Sequence, residues 1–207
     1  MKKLVTAGIV ASTLLLTNAS ADTKWYAGVE LGSASNTTEL ELERSGISAS
    51  VDVDNNYKDI KFVVGKGTGD DWYTQLYLSK ITYDEGQWFS KDDKALEIGV
   101  EAMKQFKVHE KVYPFLKFGL GIANMDTTDG LIEIDGSYYR FEDSSLIALS
   151  LTLGAGVDFK VTENISILGG LDYNYKKWQD VEWVGTNFTT STSDSGTRFY
   201  VGANYRF

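Results

Sequence analysis

From residue 147 to residue 159 every second side chain is apolar: Ile147, Leu149, Leu151, Leu153, Ala155, Val157 and Phe159. Between them lie Ala148, Ser150, Thr152, Gly154, Gly156 and Asp158. Successive side chains of an extended chain point to opposite faces, so this alternation specifies a strand with one wholly apolar face. It is also long. Globular strands average about 5–6 residues, whereas tilted strands that cross a bilayer need about 9–11.

Seven companions follow the same rule. The first sets Trp25, Ala27, Val29 and Leu31 against Tyr26, Gly28, Glu30 and Gly32. The apolar faces of the next four carry Ile60, Phe62 and Val64; then Trp72, Leu76 and Leu78; then Leu96, Ile98 and Val100; then Leu116, Phe118 and Leu120. After the 147–159 segment come Ile165, Ile167, Leu171, Tyr173 and Tyr175, and finally Phe199, Val201, Ala203, Tyr205 and Phe207. Composition agrees, with 20 Gly and 12 Tyr, a mixture that helical cores seldom use. The single proline, Pro114, opens the fifth segment, where a missing N–H donor matters least.

The connections alternate in length. Links 67–71, 107–111 and 162–164 are short, whereas 35–56, 83–93, 124–143 and 179–195 are long and polar. An up-and-down chain puts all short links on one side and all long ones on the other, as membrane barrels do. Both termini are therefore expected on the periplasmic side. Residues 38–43 with 47–53, and 131–134 with 138–141 around Asp135-Gly136, read as hairpins rising above the membrane. Ten strands would result only if one of these were embedded in lipid.

A repeated apolar face can be buried inside a soluble sandwich or turned to acyl chains. In a sandwich the opposite face would be solvated and rich in charge. Here it is mostly Gly, Ser and Tyr, small residues that permit tight curvature and leave room for Tyr26, Tyr73, Tyr77 and Tyr200 to fill a narrow lumen. With hydrocarbon outside, every backbone polar group must pair, so the sheet must close. Any single aromatic could be ordinary core packing, but Trp25, Trp72, Tyr173 and Tyr175 all fall near strand ends, where girdles form. The fold class expected is all-β: a closed antiparallel up-and-down transmembrane barrel of about eight strands.

The N-terminus has the form of an export signal. Lys2 and Lys3 precede a mostly apolar run from Leu4 to Leu16, too short to span a bilayer comfortably, and Ala19-Ser20-Ala21 fits the cleavage pattern. Residues 1–21 are read as a cleaved signal peptide and 22–207 as one barrel domain. Cleavage removes two lysines and no acids, moving the net charge from −9 to −11. Such a chain has no basic patch for nucleic acid. The absence of Cys excludes disulfides and thiolate metal sites.

The pattern Phe199-x-Val201-x-Ala203-x-Tyr205-x-Phe207 resembles the C-terminal signal read by the barrel-assembly machinery, with Tyr205 and Phe207 as its key residues. Together with the loop plan, the mature chain resembles the small eight-stranded outer-membrane barrels of the OmpA transmembrane domain and OmpX type. That resemblance implies an outer-membrane location and does not transmit a function.

The inward charges are Glu30, Lys61, Glu97, Glu101, Lys117, Asp158, Asp172, Arg198 and Arg206. By counting from the turns, Glu30 should lie near the height of Lys61, and Glu101 near Lys117. These charges suit either a gate or a satisfied polar plug, and the narrow interior of an eight-stranded barrel favours the plug. Catalysis is disfavoured: outer-membrane lipid acylases and deacylases use a His, and the one here, His109, falls in a predicted periplasmic turn. The acidic loops suit solubility; Asp126, Asp129 and Asp135 are weaker candidates for a divalent cation, and no cofactor is expected. The resulting expectation is a monomeric, non-enzymatic surface protein in contact with outer-membrane lipid and lipopolysaccharide, whose loops serve envelope stability or adhesion to a host or cell surface. A narrow channel, a lipid-modifying enzyme and a soluble periplasmic ligand-binding barrel are the alternatives.

Overall fold

A computed structural model describes residues 24–44, 47–67, 72–84, 94–126, 131–134, 137–140, 145–182 and 188–207. Eight long strands form the wall: β1 (Lys24–Arg44), β3 (Tyr57–Gly67), β4 (Trp72–Tyr83), β5 (Lys94–Gln105), β6 (Val112–Asp126), β9 (Ser145–Lys160), β10 (Ile165–Trp178) and β12 (Phe188–Arg206). Each pairs antiparallel with its neighbour in chain order, and β12 returns to β1. The barrel is closed, so no strand of the wall presents an unpaired edge to hydrocarbon.

Four short strands complete the described residues. β2 (Ile47–Asp54) pairs with the distal half of β1, β11 (Val181–Glu182) pairs with β12, and β7 (Leu131–Ile134) pairs with β8 (Ser137–Arg140) in a separate two-stranded sheet. None of them adds a strand to the closed wall, which settles eight over ten. The turns at 106–111 and 161–164 lie at the same end of the barrel as Lys24, Gly67 and Phe207. There Thr162 Oγ1 accepts from the Ile165 N–H at 2.9 Å, a local bond that tightens the β9–β10 turn. The Phe207 N–H donates to the Trp25 carbonyl at 2.9 Å, tying the last residue to the first strand.

The expected hairpin of residues 38–43 with 47–53 is present as the distal half of β1 with β2, whereas the segment 179–195, expected as a long polar loop, is largely strand from Phe188 onward. The ladder between β1 and β12 runs from Tyr26↔Arg206 to Arg44↔Phe188, carrying both strands well past their apolar stretches. Residues 188–197 lack apolar alternation because no lipid faces them. Their Thr and Ser side chains still suit a strand, and Thr190, Thr192 and Asp194 turn inward.

The outer wall is apolar. Phe62, Ile98, Leu116, Leu149, Leu171, Val201 and their neighbours are exposed, with Leu149 reaching 67%. An apolar belt running round the molecule is far larger than a soluble monomer displays and matches a lipid-facing band. Trp25 and Trp72 mark its short-turn border, and Tyr173 and Tyr175 lie toward the long-loop end.

The core of this fold is the lumen. Toward the short turns it holds an apolar cluster including Tyr26, Val63, Tyr73, Met103, Phe115 and Leu168. At the long-loop end a second cluster includes Tyr57, Ile81, Tyr83, Met125, Leu146 and Trp178. Inward glycines make these fillings possible: a Cβ on Gly170 would lie 2.8 Å from the Tyr200 hydroxyl. Charged side chains occupy the interval between the two clusters.

Candidate functional site

The middle of the lumen contains a chain of alternating charges contributed by strands all round the barrel. Arg198 of β12 is the hub. Its Nε and Nη2 each donate to Asp59 at 2.8 Å, forming a two-pronged pair. Its Nη1 donates to Asp172 at 3.0 Å and to Glu30 at 3.2 Å. Lys117 donates to Asp172 at 2.9 Å and lies 3.8 Å from Glu101, which also accepts from Lys61 at 2.9 Å. Asp59, Arg198, Asp172, Lys117, Glu101 and Lys61 thus form one unbroken series of opposite signs. Gly32 leaves room for the hub, since a Cβ there would come within 2.8 Å of Arg198 Nη2.

Neutral groups add further partners. Gln75 donates to Glu101 and accepts from the Tyr26 hydroxyl at 2.6 Å. Glu97 accepts from Tyr77 at 2.6 Å and from Ser150 at 2.7 Å, and pairs with Lys176 at 3.4 Å. Lys117 and Arg198 also stand 4.2 and 4.6 Å from the Tyr200 ring, so the phenol supports cations from its face. Nearer the short turns, Arg206 and Gln105 both donate to Asp158, at 2.8 and 2.9 Å.

All nine inward charges read from the sequence are buried, and the ion pairs bring them into three groups. Glu30, Asp172, Arg198, Lys117, Glu101 and Lys61 join the main series; Glu97 stands with Lys176, and Asp158 with Arg206. Glu30 and Lys61 are cross-strand partners in the ladder. Their charged ends diverge, however, Glu30 to Arg198 and Lys61 to Glu101. Sequence reading missed Asp59, Lys176 and Asp194. Asp59 and Lys176 lie one residue from apolar-face positions Ile60 and Tyr175, so the alternation itself carried the signal. Asp194 sits in the polar segment read as loop, where it accepts from Thr38 at 2.7 Å and from Trp178 at 2.8 Å.

Among the described residues the lumen holds a small polar cavity beneath the long-loop cluster, bordered by Tyr57, Asp59, Lys61, Glu97, Lys176 and Arg198. Lining side chains, not space, dominate it. His109 lies exposed in the turn between β5 and β6, away from the lumen network. Of the cation candidates, Asp129, Asp135 and the side chain of Asp126 lie outside the described residues. Among the described residues no three His, Asp or Glu side chains are grouped to hold a metal.

The family model for the outer membrane protein β-barrel domain matches residues 4–207. The chain belongs to this family. Outer-membrane β-barrel proteins of known structure share its fold. OprG from Pseudomonas aeruginosa aligns with a TM-score of 0.54 at 12% identity, covering 89% of this chain and 95% of OprG. Neisserial surface protein A aligns at 18% identity and TM-score 0.43, covering 84% and 96% of the two chains. Ail of Yersinia pestis, solved with the heparin analogue sucrose octasulfate, aligns at 18% identity and TM-score 0.38, covering 89% and 99%. No curated protein sequence matches significantly. Membership in this outer-membrane β-barrel family places the protein in the outer membrane.

Proposed function

We propose that this protein is a non-conducting, non-enzymatic outer-membrane scaffold that presents an interaction surface to the cell exterior. In this reading residues 1–21 are removed on export, both termini face the periplasm, and the long connections lie outside. The observation that carries it is the filling of the lumen: a paired ionic series closed at each end by aromatic and aliphatic side chains. An ion crossing would have to break pairs that each lose several kcal/mol when one partner is removed. The hydroxyls of Ser150 and Tyr77 already donate to Glu97, which supports a structural role for that carboxylate. The surface offered to partners is the sheet that β2, β1 and β12 build beyond the apolar belt.

Planar bilayer recording tests the first half. The refolded protein is expected to show no steady conductance, and a large, steady current would refute the scaffold reading in favour of a channel. Replacing residues 37–54 by a short turn tests the second half. Heat-modifiable migration in gels should persist, because the belt and its ladder are intact, while adhesion of expressing cells to host surfaces should fall. Adhesion unchanged by that deletion would remove this sheet as the contact surface.

A further inference from the structure

We infer that Lys58, Lys80 and Lys94 form a headgroup site for the phosphorylated glycolipid of the outer leaflet, on the outward face of β3, β4 and β5. The inference rests on the orientation proposed above, which sets the long-loop end outside.

The ladder registers place the three lysines together. One row across the wall runs Ser33, Lys58, Thr82, Lys94, and the next row down runs Leu31, Ile60, Lys80, Leu96. Lys80 is therefore diagonal to both Lys58 and Lys94, the spacing at which long side chains on one sheet face still meet. All three are exposed. The row beneath is Val29, Phe62, Leu78 and Ile98, wholly apolar. The lysines thus stand where hydrocarbon gives way to headgroups.

Lys80 is the telling member. Its row is otherwise apolar, so its ammonium must extend along its own stem toward the polar side, drawing toward the Lys58–Lys94 row. Among the described residues Lys80 and Lys94 have no acidic partner, and Lys58 has one, Asp84 at 3.5 Å. Elsewhere the described outward rim offers Ser35 and Thr37 on β1 and Ser195 and Thr197 on β12, which carry no charge, and one isolated lysine on β10, Lys177, whose ammonium donates to Ser191. A chain of net charge −9 has concentrated three cations on three adjacent strands at one membrane border. Complementary charge at that depth fits phosphate groups on a lipid rather than a soluble polyanion, because Lys80 is rooted in a row whose other members are apolar and lipid-facing.

The test uses the full mature protein in detergent, with native mass spectrometry as the readout of bound lipid. Lipid A bearing both phosphates is expected to bind about a hundredfold more tightly than lipid A stripped of them, roughly one membrane-surface interaction per lysine. The K58Q/K80Q/K94Q variant should lose that preference while keeping its heat-modifiable migration. Equal binding of the two lipids by the unaltered protein overturns the site even if the variant fails to fold. So does a variant that keeps the preference. Inositol hexakisphosphate is the soluble arm, and binding of it as tight as that of lipid A would overturn the membrane source. Ser50→Cys, probed with an impermeant maleimide on intact cells, checks the underlying orientation. Labelling is expected. Labelling only after permeabilisation would overturn the orientation and the site with it, whereas labelling on intact cells with an unaltered lipid preference in the variant overturns the site alone.

Discussion

Arg198 is 2% exposed and faces three carboxylates, so its removal leaves Asp59, Glu30 and Asp172 short of a cation inside a low-dielectric lumen. Breaking a buried ionic group in this way costs about 3–5 kcal/mol. Arg198→Ala is expected to lower the urea midpoint of the refolded protein by a corresponding amount, read from the loss of heat-modifiable migration. Adding Asp59→Asn should recover part of that loss, since it removes the most closely paired orphan; a midpoint unchanged by Arg198→Ala would mean the network adds nothing to stability. The same residues show how far a sequence can be read at this scale. Alternation identifies which side chains point inward, and the ladder sets their heights. It does not choose partners, because side chains inside a closed wall meet across the lumen as well as along it. Glu30 and Lys61 are ladder partners, yet the longer reach to Arg198 and Glu101 decides where their charges rest.

At the scale of the strand, the apolar face is what the membrane selects. Leu153 lies midway along the lipid face of β9, between Phe118 and Tyr173 in the ladders. Leu153→Arg there should cost about 2–4 kcal/mol, whereas the same change at Ser195, beyond the belt on β12, should cost close to nothing. Folding into vesicles, followed by tryptophan fluorescence against urea, compares the two; equal costs would mean Leu153 does not face lipid. The contrast also explains why the strands were legible only in part. Where lipid lies outside and a filled lumen inside, as along β9 and β10, the two faces differ sharply in chemistry and every strand is visible. Where water lies outside, as for residues 188–197 of β12, both faces are polar and the sequence looks like loop. The strand persists there because β1 supplies a ladder partner, a long-range cause that no local pattern contains.

For the molecule as a whole, the decisive event is closure between the first and last strands, whose partners Tyr26 and Arg206 lie far apart in the sequence. Bringing such distant segments together carries the largest loop-closure entropy of any pairing in the barrel, so the other hairpins should form before it. Phe207 stands at this seam: its N–H reaches the Trp25 carbonyl, while its ring is 65% exposed and stacks on Tyr205 at 6.5 Å. An exposed ring contributes little packing to the finished barrel, whereas the backbone bond does not depend on the side chain and survives replacement by serine. Phe207→Ser should therefore leave the urea midpoint of protein refolded in detergent nearly unchanged, yet reduce the amount assembled into outer membranes of living cells severalfold. That split assigns the ring to recognition during assembly. A midpoint that falls as steeply as the cellular yield would instead assign it to the seam, with the closing strands depending on a contact that water and lipid both reach.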